Sequence, residues 1–145
     1  MSRVAAGRPI PALENATRLA TEWVRDVAET LGTEDTPFAY RVLRAWLHAL
    51  RDRLTVPAAA HFGAQLPELL RGVFYEGWNP SRVPVRLSAT EYAEHFAHEA
   101  GISPHDVPKI ASAATAALGR RMSEGQLRKA MDELPAAVRA LLRPA

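Results

Sequence analysis

Residues 66–80 read Leu-Pro-Glu-Leu-Leu-Arg-Gly-Val-Phe-Tyr-Glu-Gly-Trp-Asn-Pro. Pro67 has a pre-set φ and no N–H to satisfy, so it suits the first turn of a helix. Leu69, Leu70, Val73 and Phe74 follow at helical spacing, with Arg71 on the wetter flank. Gly77 and the Asn79-Pro80 pair stop the helix, because glycine tolerates unusual φ and the residue before proline is pushed towards extended backbone. Trp78 is caught in that turn. The stretch closes one helical unit and hands the chain to a second.

Upstream, Leu13, Ala16, Leu19, Ala20, Trp23, Val27 and Leu31 recur at spacings of three and four, predicting a helix over 12–31 that Gly32 ends. Thr36 as N-cap and Pro37 in the first turn open a second helix to Leu54. Thr55 caps a third, which Pro67 divides. Downstream, Val83, Val85 and Leu87 alternate with Arg82, Pro84 and Arg86, the period of an extended segment laid on the bundle. Ser88 with Glu91 has capping-box spacing and opens a fourth helix to Ala100, ended by Gly101. Ser103, Pro104 and Asp106 open a fifth, to Met122, with Pro108 in its first turn or resetting its start. Ser123 with Gln126 repeats the box spacing and opens a sixth helix to Glu133, which Leu134-Pro135 restarts to Leu142.

A shift of 68 residues places Ala45, Ala49, Leu50, Arg53, Leu66, Pro67 and Arg71 on Ala113, Ala117, Leu118, Arg121, Leu134, Pro135 and Arg139. A shift of 69 places Thr21, Glu22, Ala28 and Gly32 on Thr90, Glu91, Ala97 and Gly101. The expectation is therefore an all-α fold: a single helical bundle of two tandem three-helix repeats joined by an extended crossover. Residues 1–11 form a flexible lead-in and 12–143 one domain, with repeats at 13–74 and 89–142 and the crossover at 75–88. Leu43, Trp46 and Leu47 correspond to Ala111, Ala114 and Thr115, so a bulky face matches a small one and the second and fifth helices should cross closely.

Two stretches carry a resemblance: Ala-Tyr-Arg-Val-Leu-Arg-Ala-Trp-Leu-His-Ala-Leu-Arg-Asp-Arg-Leu at 39–54 and Gln-Leu-Pro-Glu-Leu-Leu-Arg-Gly-Val-Phe-Tyr-Glu-Gly-Trp at 65–78. The sequence resembles the bacterial family of uncharacterised proteins catalogued as domain of unknown function 2267, over about residues 14–142. The resemblance implies a small helical domain of the same two-unit kind, and no activity, substrate or catalytic residue.

With 145 residues, 48% of them apolar and 23% charged, the chain suits one globular domain with a real core. The absence of cysteine excludes disulfides and thiolate metal sites. The sequence shows neither an apolar leader nor an apolar run of spanning length, and the expected location is the cytoplasm. Net charge is +2, with arginine outnumbering lysine sixteen to two, a weak pointer to nucleic acid.

No serine beside a base, carboxylate pair, phosphate loop or zinc-protease helix stands out, so the reading leans against an enzyme and calls no cofactor and no metal. His95 and His98 with Glu91 and Glu94 have ligand spacing, yet Tyr92, Phe96 and Ala100 claim the buried face of that helix and leave these four to solvent. Two surfaces remain. Arg71, Tyr75 and Trp78 form an aromatic-plus-arginine patch of the kind interfaces favour, against the alternative that Trp78 pins the crossover. Arg41, Arg44, His48 and Arg51 recur at spacings of three and four and predict an exposed cationic ridge for an anionic partner. The leading expectation is a non-enzymatic cytoplasmic module that binds a protein or assembles with itself. The alternatives are nucleic-acid or anion binding through the basic face, and a bundle that binds or converts a small molecule.

Overall fold

The computed structural model describes residues 7–144, and the rest of the predicted lead-in, residues 1–6, lies outside them. Among the described residues are eight α-helices and no strand: α1 Pro11–Leu31, α2 Thr36–Arg53, α3 Val56–Gly63, α4 Glu68–Tyr75, α5 Ala89–Ala100, α6 Val107–Arg121, α7 Glu124–Asp132 and α8 Ala136–Leu142. Each half of the chain thus holds four helices, because the breaks read at Pro67 and Pro135 divide the last helix of each predicted three-helix unit in two. Both prolines take extended ψ as N-caps, so a separate helix begins after each, and Pro67 stands just before the first turn rather than in it.

Several helix ends follow the sequence signals. Gly32 and Gly101 close α1 and α5 in the left-handed conformation at φ 72° and 73°. Ser88 and Glu91 make the reciprocal capping box. Others do not. The N-cap of α2 is Asp35, whose carboxylate accepts from the Phe38 N–H at 3.0 Å, and Thr36 is already helical. A 3₁₀ turn at Pro104–Asp106 precedes α6, with Pro108 in the first turn of that helix. Ser123 makes no side-chain cap; its expected partner Gln126 instead meets His61 of α3 at 2.7 Å.

α1 packs on α2 and on α6, while α5 packs on α2, α6 and α8. α2 and α6 touch in the middle, and α3 meets α7. Each half therefore buries its long helices against the other, giving one continuous core rather than two. Trp46 is fully buried at this crossing and donates its indole N–H to Thr115 Oγ1 at 2.9 Å. Ala111, Ala114 and Thr115, the small face expected opposite it, are all buried.

One clasp occurs twice. Arg71 donates Nε to the Gly63 carbonyl at 3.2 Å and Nη2 to that of Leu66 at 2.9 Å. Arg139 donates Nε to Met131 at 3.2 Å and Nη2 to Leu134 at 2.9 Å. Each arginine ties the short helix it sits on to the end of the helix before it and to the leucine that precedes the proline.

The crossover carries no regular structure, and its side chains alternate as the period of two predicts: Val83, Val85 and Leu87 are half-buried, Arg82, Pro84 and Arg86 exposed. Its main anchor is the Val85 N–H, which donates to the Asp52 carbonyl at 2.6 Å.

Candidate functional site

The cationic row on α2 is where the structure departs furthest from the sequence reading. Only Arg41 is exposed, with its guanidinium 5.5 Å from the Phe38 ring centre. Arg44 is half-buried, while His48 and Arg51 are buried at 5% and 4% exposure, so the predicted solvent ridge does not exist. The row faces inward because α2 is enclosed by α1, α4, α5 and α6.

Its anionic partners are internal. Arg44 bridges Glu76 and Glu99, each at 3.3 Å. His48 holds Glu99 through Nδ1 and the Val73 carbonyl through Nε2 at 2.6 Å. Arg51 donates Nη1 to the carbonyls of Phe74 and Glu76 at 2.9 and 2.6 Å, and Nε to Asp52 at 2.9 Å. The carbonyls of Val73, Phe74 and Glu76 form the negative C-terminal end of α4, which has no further turn to satisfy them. His48 and Arg51 cap that end from the side. Glu99 and Glu76 are the residues that sequence reasoning missed. Their only signal is that Glu99 falls between the polar and apolar faces of α5.

Electrostatics follow from this packing. Burial works against the charge of Glu99, but the His48 hydrogen bond and the positive charges of His48, Arg44 and His95 outweigh it and hold the carboxyl below its usual range. Both ring nitrogens of His48 are therefore engaged, Nδ1 by the Glu99 carboxylate and Nε2 by the Val73 carbonyl. A ring so occupied has neither a free lone pair for general base work nor a coordination position for a metal. Tyr92 is buried with its hydroxyl unpartnered among the described residues, and burial pushes its phenol far above the usual value.

The second predicted patch is also turned to the fold. Ring contacts run from Trp46 through Phe62, Phe74 and Tyr75 to Trp78, with centroids 6.1, 5.4, 5.1 and 5.3 Å apart. Trp78 is half-buried as the outer end of this chain, with its indole N–H buried and unpartnered. Arg71, though exposed, commits Nε and Nη2 to the clasp. The reading in which Trp78 pins the crossover fits this geometry better than an open recognition patch. Glu91, Glu94, His95 and His98 are exposed as expected, and no cluster of three or more His, Asp or Glu residues able to hold a metal occurs among the described residues.

Two of the concave surfaces among the described residues bear on binding. One, of about 570 Å³, is walled by Thr17, Ala20 and Val24 of α1, Tyr40 of α2, and Leu69 and Val73 of α4. Leu69 and Tyr40 on its rim are 46% and 39% exposed, and Leu13, one turn before Thr17, is 57% exposed. The other, about 890 Å³, opens between the end of α1, the start of α2, α6 and the end of α8, and its walls include Leu31, Phe38, Lys109, Ile110, Ala116 and Arg143. No helix among the described residues is long and apolar enough to cross a membrane.

The family model described as an uncharacterised conserved protein, DUF2267, matches residues 20–141. A search of curated proteins returned no match.

Proposed function

The chain belongs to the DUF2267 family of uncharacterised conserved proteins, and since that membership carries no activity, we propose from the geometry that it is a non-enzymatic helical module that works by association with a second copy of itself. The observation that carries this reading is the apolar face of α1, α2 and α4. There a groove of about 570 Å³ lies beside projecting apolar side chains, Leu13 and Leu69, on the same side of the molecule. A surface offering both a recess and a projection is self-complementary, which a two-fold contact between identical chains requires. Exposed apolar area of this kind is the usual mark of an interaction surface. The buried and half-buried charged groups support the non-enzymatic part: His48, Glu99, Arg44, Arg51 and Asp52 are occupied with one another and with the end of α4.

The scaffold of this reading is a tandem duplication of one helical unit, α1–α4 and α5–α8, related by a pseudo-two-fold through the α2–α6 crossing. The recurrence of the arginine clasp at an offset of 68 and of the glycine C-caps at 69 supports it. The counterpart of the groove on the second unit has Ala89, Ala93 and Leu141 where the first has Ala20, Val24 and Val73, and is smaller and flanked by Glu94 and His105. Only one unit thus offers the apolar face, which favours a closed pair over a chain of subunits.

Sedimentation velocity across a concentration series tests the proposal. Wild type should shift from monomer to dimer by roughly 100 µM, and Leu69→Glu with Leu13→Glu should remain monomeric with unchanged thermal unfolding. A wild type that stays monomeric throughout overturns self-association.

A further inference from the structure

The larger cleft gains meaning when the two halves are compared residue by residue, which rests on the two-unit reading above. At the offsets of 68 and 69, Arg44, His48 and Arg51 of α2 correspond to Ser112, Ala116 and Gly119 of α6, while Glu99 and Glu76 correspond to Thr30 and Pro144. Arg44, His48, Arg51, Glu76 and Glu99 hold the ionic network that fills the space between α2, the end of α4 and α5. Their five counterparts are small or uncharged, and the 890 Å³ cleft stands at the corresponding place between α1, α6 and the end of α8, walled by Thr30, Ser112, Ala116 and Pro144. The cleft is the vacated counterpart of a packed charge cluster.

Its charges are not balanced. Lys109 and Arg143 line the cleft, and neither makes an ion pair among the described residues. Asp106 is the one acid on the wall, and it is not within ion-pair distance of either. Leu31, Phe38 and Ile110, half-buried and packed on the core, supply an apolar floor. The volume lies within the usual range for small-ligand sites, about 300–1,000 Å³, and an apolar floor with a few charged groups at the edge is their usual composition. We propose that this cleft binds a small organic anion with an apolar body, its charged end held by Lys109 and Arg143 and its body laid on Leu31, Phe38 and Ile110. Such a ligand restores to the cleft both the volume and the counter-charge that Arg44, His48 and the two glutamates supply at the corresponding place around α2.

The test uses the full chain with octanoate as probe, followed through the methyl resonances of Ala113 and Ala116, with octylammonium and octanol as chain-matched controls. Octanoate should shift both methyls saturably and the controls should bind about tenfold more weakly or not at all. Lys109→Gln with Arg143→Gln should weaken octanoate by about tenfold, and Ala116→Leu, which narrows the cleft without adding charge, should abolish the shifts while thermal unfolding shows the variant folded. Leu69→Glu, in the separate apolar groove, should leave octanoate binding untouched, so that loss of self-association and loss of ligand binding are told apart. Equal binding of octanol or octylammonium overturns the proposal, as does an absence of methyl shifts at millimolar octanoate or full binding by Ala116→Leu.

Discussion

Arg51→Ala should be among the most damaging single substitutions in this chain, although a reading of α2 as a solvated cationic ridge makes it nearly neutral. The Arg51 side chain is 5% exposed and donates three charge-assisted hydrogen bonds, to Phe74 and Glu76 carbonyls and to Asp52. Each such bond contributes about 1.5–3 kcal/mol, and they are not additive because one guanidinium makes all three. Truncation also leaves two C-terminal carbonyls of α4 without their donor and takes from Asp52 its arginine partner. Removing one partner from a buried charged cluster costs about 3–5 kcal/mol, and Asp52, at 20% side-chain exposure, recovers some hydration, which favours the lower half of that range.

For a chain of this length each kcal/mol moves the midpoint by about 3 °C, so Tm should fall by about 10 °C. Arg51→Lys keeps the charge but cannot span both carbonyls and Asp52, and should lose about half as much. Arg41→Gln, on the same helix but exposed, should stay within about 0.5 kcal/mol of wild type. Urea unfolding with a common slope decides the matter. If Arg51→Ala unfolds within 1 kcal/mol of wild type, or Arg41→Gln is equally costly, the capping account of the α2 cations is wrong.

Trp46→Phe keeps most of the ring volume but removes the donor to the Thr115 hydroxyl, which still donates to the Ala111 carbonyl at 2.9 Å, and should cost about 1 kcal/mol by urea unfolding. Gly63→Ala sets a Cβ 2.5 Å from the Tyr75 hydroxyl and 2.9 Å from its ring, so the tyrosine must move; near-ultraviolet circular dichroism should change and stability fall by about 1–3 kcal/mol. Arg71→Ala and Arg139→Ala break the same pair of bonds in the two halves, and their unfolding free energies should agree within about 0.5 kcal/mol; a large inequality speaks against equivalent units. Glu99 has a depressed folded pKa, so its contribution is complete above the unfolded value of 4.5 and is lost as pH falls through the folded one. Glu99→Gln should therefore flatten the acid side of a stability–pH profile below pH 4.5.

The helices were legible because local chemistry sets their ends. Gly32, Gly101 and the Ser88–Glu91 box act within one turn of the chain, and each does what its sequence context implies. The failures are competitions that one helix cannot show. Asp35 displaces Thr36 as cap because the carboxylate stands one residue earlier and accepts from Phe38. Gln126 abandons its box because His61, 65 residues away, is the partner within reach. Neither half of such a pair carries a mark in the local sequence.

The α2 cations were misread for a different reason, and the chain itself held the correction. Polar side chains at spacings of three and four imply a wet face only when the helix has one, as at a bundle's surface. Residues 45–51 are buried without a break, two full turns, so no direction around α2 is left for solvent there. The offset of 68 sets Ser112, Ala116 and Gly119 against Arg44, His48 and Arg51. A solvated ridge has no use for two small residues and a glycine on a helix, whereas a face approached by other elements does, since small side chains leave room that charged ones must otherwise fill. On the proposed two-unit reading, the small counterparts suit a face on which Arg44, His48 and Arg51 meet other elements rather than water. Such a face asks for acceptors, which Glu76, Glu99 and the open end of α4 provide.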